Sequence, residues 1–476
     1  MAGLWRTVLV LAILVPGAVF AETPQETCER ALATGALEPL RAAAWAGVPK
    51  CIGRLGERYR LGDGVERDAA QAMILFRQAA EAGDPAAQTM LGRMLRHGKV
   101  VRGKWGEGVE WLRKAAEQGY APAQTQYGLA FWNGAARPKD PAQAVAWLRK
   151  AAEQGDVEGA AWLGAALRDG TGTAPDVVQA AKWLRKAAEG GHLPAQVSLG
   201  VLCSEGKVAD CGPVQAVALY RKAAEQGDGR AQTWLGIALS EGPGTRDEAE
   251  AARWFRLAAE QGSAAAQGRL ATLYREGRGV DQDLGQAVHW YRRAAMQGDA
   301  SCRLWLGTML RDGEGTKRDY QEAVHWFRLA AEQGNAAAQR SLAAMYREGL
   351  GVHKDLAQAA AFYRKAAEAG DTNAQTWLAA MLRDGHGIPQ DDAEAVRWFH
   401  AAADQGVPQA QNNLSFMYRY GRGTGRDLVL AYVYLALAAE GGEETTKERD
   451  EVHALLNEED RRRAETELAR RRTVKG

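Results

Sequence analysis

The sequence predicts an all-α protein, a right-handed α/α solenoid superhelix of eleven ~36-residue helix-turn-helix repeats with terminal capping helices. Three observations predict it. The stretch Lys114-Ala115-Ala116-Glu117-Gln118-Gly119 recurs in close copies ending at Gly83, Gly155, Gly191, Gly227, Gly262, Gly298, Gly334, Gly370, Gly406 and Gly442. Successive glycines stand 36 residues apart, except for one interval of 35 from Gly227 to Gly262, and an earlier echo ends at Gly47. A second glycine follows each landmark at position +15, from Gly62 to Gly421, in all eleven copies. Between the two, apolar residues fall at +4, +8 and +12, as Ala338, Leu342 and Tyr346 do after Gly334, which is the spacing of one helix face.

The chain opens with Arg6 and an uncharged, mostly apolar run from Thr7 to Phe20, and Val19 and Ala21 are small residues at the −3 and −1 positions of a signal-peptidase site. Residues 1–21 are expected to be a secretory signal cleaved between Ala21 and Glu22. An uncleaved anchor is the alternative, but the run is shorter than the roughly 20 residues a span needs. The mature chain is therefore expected to be exported, periplasmic or secreted in a bacterial source, with no stable membrane span after cleavage.

Residues 22–47 read as an N-terminal cap or half repeat, with Pro24–Ala33 a degenerate first helix capped by Thr23 and Leu37–Trp45 a second. Eleven repeats then occupy residues 48–442. In each, the first helix stops at the +15 glycine, which suits the left-handed turn after a helix end. The second starts after a turn that often carries an N-capping Asp, as at Asp319, Asp355 and Asp427, and contains Ala-x-x-Trp, as in Ala144–Trp147, Ala180–Trp183 and Ala323–Trp326. Neither helix can bury its apolar stripe alone, so the repeats must stack, adding about 8–10 Å each. Residues 443–476 are charged, with Val452, Leu455, Leu456 and Leu468 spaced for one or two capping helices; the runs Arg461–Arg463 and Arg470–Arg472 are offset by ten acidic residues against nine basic ones in this tail.

With 46% hydrophobic and 25% charged residues the chain has ample surface to bury, and a net charge of +1 gives no bulk attraction to nucleic acid. The pattern Ala-x-x-x-Leu-Gly-x-x-Tyr-x-x-Gly-x-Gly-Val, then Asp, then Ala-x-x-Trp-Tyr-x-x-Ala-Ala-x-x-Gly resembles the Sel-like repeat (SLR) family, related to tetratricopeptide solenoids but longer than their 34-residue period. Residues 266–298 match it nearly point for point through Leu270, Tyr274, Gly277, Gly279, Val280, Ala287, Trp290, Tyr291, Ala294, Ala295 and Gly298. Repeat 2, where Lys104 to Gly108 replaces the usual turn, and repeat 6, one residue short, depart from it. The resemblance implies a protein-binding scaffold. Its cysteine-rich secreted members carry bridged repeats with the spacing of Cys203 and Cys211, one at +12 of a first helix and one opening the partner helix. Cys28 and Cys51 would tie the leading unit to repeat 1, which leaves Cys302, at the usually alanine +4 position, as a buried and inert thiol.

No Gly-x-Ser-x-Gly, His-Glu-x-x-His or Cys-x-x-Cys pattern occurs, and neither a cofactor nor a metal is expected. Gly98 to Lys104 spells Gly-x-x-x-x-Gly-Lys, but Trp105 stands where a phosphate loop needs Ser or Thr. His289 and His325 share one repeat position, without a third ligand. The candidate binding residues lie on the first helices. Position +13 is arginine in eight repeats (Arg60, Arg96, Arg168, Arg275, Arg311, Arg347, Arg383 and Arg419), a ladder that would suit an acidic or extended partner or, alternatively, complement the helix dipoles. Trp162, Trp234, Trp305 and Trp377 occupy +7 in alternate repeats, either as inter-repeat packing or as anchors. Tyr274, Tyr346 and Tyr418 mark the repeats between, a pattern of copying by pairs. The leading reading is an exported, non-enzymatic scaffold for protein partners, with Arg275, Arg311, Arg347, Arg383, Trp305 and Trp377 as the contact set. The second is an envelope protein holding a glycan, a peptidoglycan fragment or another small ligand in an aromatic groove near Trp305 or Trp377. A hydrolase has nothing in the residues to support it.

Overall fold

A computed structural model describes residues 22–97, 105–134 and 138–473. The expected leader, including Ala21 of its cleavage bond, and the Gly98–Lys104 stretch lie outside the described residues; Glu22 lies within them. Every regular element among the described residues is an α-helix. The chain divides into two compact units, residues 1–223 and 224–476, and each is a right-handed stack of paired helices.

The first unit opens with α1 (Pro24–Thr34) and α2 (Leu37–Trp45), which cover α3 (Pro49–Leu61) and α4 (Ala69–Glu81) of repeat 1; α5 (Pro85–His97) starts repeat 2. Thr23 starts α1 through a capping box: its hydroxyl accepts from the Glu26 N–H at 3.2 Å, and Glu26 accepts from the Thr23 N–H at 2.8 Å. Cys28 of α1 is bonded to Cys51 of α3, and Cys203 to Cys211 across a turn.

Within repeats the local rules are visible one by one. Asp319, Asp355 and Asp427 each accept the backbone N–H three residues on at 2.9 Å, starting the second helices. Gly349 ends the helix Ala336–Glu348 with φ 76° and donates its N–H to the Met345 carbonyl at 2.8 Å. Among the described +15 glycines, Gly242 is the exception to the left-handed stop: its φ and ψ are −70° and 136°. Pro243 follows it in the one repeat that is a residue short, and a residue before proline is driven to extended backbone. A further glycine two positions on, at Gly279, Gly315, Gly351, Gly387 and Gly423, also has positive φ, and a Cβ there would collide with the start of the preceding repeat's second helix.

The core is built from these small approaches. The Ala-Ala pairs, apart from Ala439 in the last repeat, and an alternating Phe255, Tyr291, Phe327, Tyr363, Phe399 series on the second helices are buried. Between successive repeats of the first unit, first helices touch one another, as Pro85–His97 and Ala121–Asn133 do, more than second helices do. At the end of the second unit, helices Thr446–Ala454 and Glu458–Thr473 pack on the last repeat. Val452, Leu456 and Leu468 are buried there, but Leu455, expected to join them, is exposed because it falls at the C-cap of the shorter helix. The arginine runs are paired locally: Arg463 with Asp460, Arg470 and Arg471 with Glu467, and Arg472 with Glu440.

Candidate functional site

The +13 arginines stand in the last turn of eight first helices, but they are not a stripe of open cations. Arg60 pairs with Glu57 at 2.6 Å, Arg168 with Asp169 at 2.7 Å, Arg275 with Glu276 at 2.5 Å, Arg311 with Asp312 at 2.7 Å, Arg347 with Glu348 at 2.5 Å, Arg383 with Asp384 at 2.7 Å and Arg419 with Glu451 at 3.0 Å. Hydrogen bonds from Arg168 and Arg383 hold the Asp169 and Asp384 carboxyls below the usual carboxylate range. An acidic partner would therefore have to displace an internal carboxylate.

Position +13 of one repeat meets position +7 of the next. The Arg275 guanidinium carbon lies 3.6 Å from the centre of the Trp305 ring, and that of Arg347 lies 3.7 Å from the centre of Trp377. In the first unit Trp132 takes the +13 place and packs on Trp162 with ring centres 5.9 Å apart. Polar versions occur too: Arg96 reaches Gln126 at 3.4 Å and Arg383 bonds Asn413. Arginine ladder and tryptophan series thus meet at the Arg275–Trp305 and Arg347–Trp377 junctions. Trp305 and Trp377 nevertheless remain 39% and 45% exposed, and beside them +10 carries only small residues, Thr308, Ala344 and Ala380. Each of these two half-exposed indoles is held against a neighbouring guanidinium.

A second ladder escaped the sequence reading. Gln88, Gln124, Gln196, Gln232, Gln267, Gln339, Gln375 and Gln411, at +5, are all buried, and each donates Nε2 to the carbonyl of the alanine eight residues earlier at 3.0–3.2 Å. That carbonyl belongs to the last turn of the preceding second helix, which lacks an internal donor. The acceptor end is satisfied across the repeat: Gln118, Gln154, Gln261, Gln297 and Gln405 donate to Gln88, Gln124, Gln232, Gln267 and Gln375 at 2.7–3.4 Å. Arg303 replaces the glutamine in repeat 8 and donates to the Ala295 carbonyl at 3.0 Å. The signal was a polar residue recurring beside the +4 alanine, on the buried face.

Cys302 is buried against Gly268, and burial pushes its thiol well above the ordinary range. His289 and His325 pack edge-on against their neighbours Trp290 and Trp326. Among the described residues no group of three His, Cys, Asp or Glu is placed to hold a metal ion, and no helix is long and apolar enough to cross a membrane.

Comparison with known proteins gives a consistent picture. Eleven consecutive matches to the Sel1 repeat family tile residues 49–443. A protective antigen present in uropathogenic Escherichia coli strains, displaying an SLR fold, is 32% identical over 92% of this chain and 94% of its own, with a TM-score of 0.78. A Sel1 repeat protein from Oxalobacter formigenes is also 32% identical, over 51% of this chain and 96% of its own, with a TM-score of 0.46. No curated protein sequence matches significantly.

Proposed function

The chain belongs to the Sel1-repeat family, and from that premise we propose that it is a non-enzymatic, exported scaffold that docks partner proteins on the first helices of its second unit. The observation that carries this reading is the pair of clamped, half-exposed indoles of Trp305 and Trp377, placed two repeats apart beside small residues. Two repeats span about 16–20 Å, which an extended segment of about six residues covers. Because Arg311 and Arg383 are already neutralised by their neighbours, apolar contact with the indoles supplies the anchoring and the arginines supply rigidity. Glycan stacking in an aromatic groove is less well served. Trp377 carries Arg347 against its ring and Tyr363 stacked with it at 6.3 Å, so ring surface that a sugar would need is already occupied. Export rests on the leader of residues 1–21, and cleavage would make Glu22 the mature N-terminus.

Affinity capture from an envelope extract tests the reading, with the double variant W305A/W377A compared with R311Q/R383Q. Loss of discrete protein bands with the tryptophan variant, and their retention with the arginine variant, is the expected result, both variants having cooperative melts. Equal capture by all three proteins would overturn the assignment of the indoles. Capture of cell-wall material with no protein would move the function to glycan binding.

A further inference from the structure

A cavity of about 630 Å³ lies within the first unit between α1, α3, α4 and the start of α5, with Tyr120 on its far wall. Its position follows from a junction that lacks the stacking seen at Trp305 and Trp377. Arg60, at +13, turns back onto Glu57 of its own helix instead of stacking on the next repeat's +7 residue, Met90, so Met90 is left as a cavity wall. Gly53 lets α3 approach α5 closely at the floor, since a Cβ there would come within 3.1 Å of Asp84 Oδ2 and 3.4 Å of the Ala87 Cβ. Phe76 and Leu32 complete the apolar lining. The Leu32 wall is fixed by the Cys28–Cys51 bond and by Arg58, which donates to the Gly35 carbonyl at 2.7 Å.

The charges on the rim are unequal in availability. Both Glu57 oxygens accept from Arg60, at 2.8 and 2.6 Å, and Asp84 Oδ2 accepts from the Ala87 N–H at 2.9 Å as the cap of α5. Lys50 and Arg54, one turn apart on α3 and both exposed, make no hydrogen bond or ion pair among the described residues. The cavity therefore combines an apolar floor with two cations that make no hydrogen bond among the described residues, of which Arg54 also acts through its charge on Glu57. Charged donors of this kind bind carboxylates with short, strong hydrogen bonds. The Tyr120 hydroxyl opposite them offers a further polar group that a peptide amide can use and an alkyl chain cannot.

We propose that this cavity is a second docking site, which takes a peptide segment bearing a carboxylate side chain next to an apolar one. The carboxylate lies between Lys50 and Arg54, and the apolar side chain rests on Phe76, Leu32 and Met90. This rests on reading the chain as a protein scaffold, but on a surface separate from the indole anchors.

The test is fluorescence anisotropy on the disulfide-bonded full chain. The probes are a dye-labelled octapeptide of alternating leucine and glutamate, the same peptide with glutamine for glutamate, and decanoate as a competitor. The glutamate peptide should bind, the glutamine peptide at least tenfold more weakly, and K50Q/R54Q should weaken the glutamate peptide at least tenfold while the charge-matched K354Q/R426Q, at exposed residues outside both sites, leaves it unchanged. Equal binding of the two peptides, or an unchanged affinity in K50Q/R54Q, would overturn the proposal, as would binding of decanoate without binding of peptide. If the peptide fails while envelope proteins are still captured through Trp305 and Trp377, only this site is lost and the scaffold reading stands.

Discussion

Replacing Ala369 with glutamine should stabilise the chain. Gln339 donates to the Ala331 carbonyl at 3.2 Å like its counterparts, but its Oε1 is buried and accepts nothing, because Ala369 stands where Gln297 and Gln405 stand in neighbouring repeats. The site is ready for the longer side chain. Ala369 is exposed, with φ −80° and ψ 2°, close to the −81° and −2° of Gln297, whose Nε2 reaches Gln267 at 2.8 Å. Satisfying a buried acceptor gains about 1–3 kcal/mol. Ordering a glutamine side chain costs up to about 1.5–2 kcal/mol, and less when its stem stays in water. The net expectation for A369Q is about 0.5–1 kcal/mol, concentrated in residues 356–384 because neighbouring repeats are coupled only through their interfaces. Urea unfolding with hydrogen exchange on that segment measures it. Two controls bracket the logic. Q297A orphans Gln267 Oε1 and should cost about 1–2 kcal/mol, whereas G441Q should gain nothing for Gln411, because a Cβ at Gly441 runs into Pro408. An A369Q that is neutral or destabilising, together with a silent Q297A, would refute the account of the glutamine ladder.

Gly279→Ala should cost at least about 2 kcal/mol in urea unfolding, since φ is 67° and the new Cβ meets the Glu248 carbonyl; Gly334→Ala, at φ 84° but facing open space, should cost only about 1–2 kcal/mol. Equal losses at the two sites would show that the close approach between repeats is unimportant. Burial pushes the Tyr363 hydroxyl from 10 to about 12. The folded state therefore favours the neutral phenol: its contribution is complete below pH 10 and is lost as pH rises from 10 to 12, on the order of 2–3 kcal/mol at the upper end. Y363F should retain local exchange protection through that window, and an identical alkaline loss in the two proteins would contradict the assignment.

Much of the fold could be read from the sequence because each repeat states the same rules many times. The +15 glycines, the capping aspartates and the +4/+8/+12 stripe located helix boundaries that the structure reproduces in Ala336–Glu348 and Leu356–Glu368. The failures have local causes. Gly242 was read as a left-handed stop, but Pro243 decides its backbone, and Leu455 matched the apolar spacing but falls at a helix end. The candidate site was less legible, since periodicity on one helix says nothing about which residues meet across repeats. Arg347 and Trp377 are 30 positions apart and occupy different registers, yet they form one stack. The glutamine ladder could have been seen as a covariation inside the chain. Gln88, Gln124 and Gln267 have a glutamine 30 residues on, whereas Ile52 and Ala160 have Ala82 and Gly190 there, with Gln339 and Gln411, opposite Ala369 and Gly441, breaking the pattern.

The Cys28–Cys51 bond also gives the molecule a direction of failure. A stack of repeats comes apart from whichever end exposes an unsupported layer, and here the two ends are fastened by different means. At the amino end α1 is stitched covalently to α3, so a pulling force or an invading protease cannot lift that layer away by breaking weak contacts alone. At the carboxyl end the covering helices are held only by side chains such as Val452, Leu456 and Leu468 and by ion pairs. Under tension in an oxidising compartment, unravelling should start at the carboxyl terminus and travel toward the amino terminus, and a reducing environment would remove that polarity.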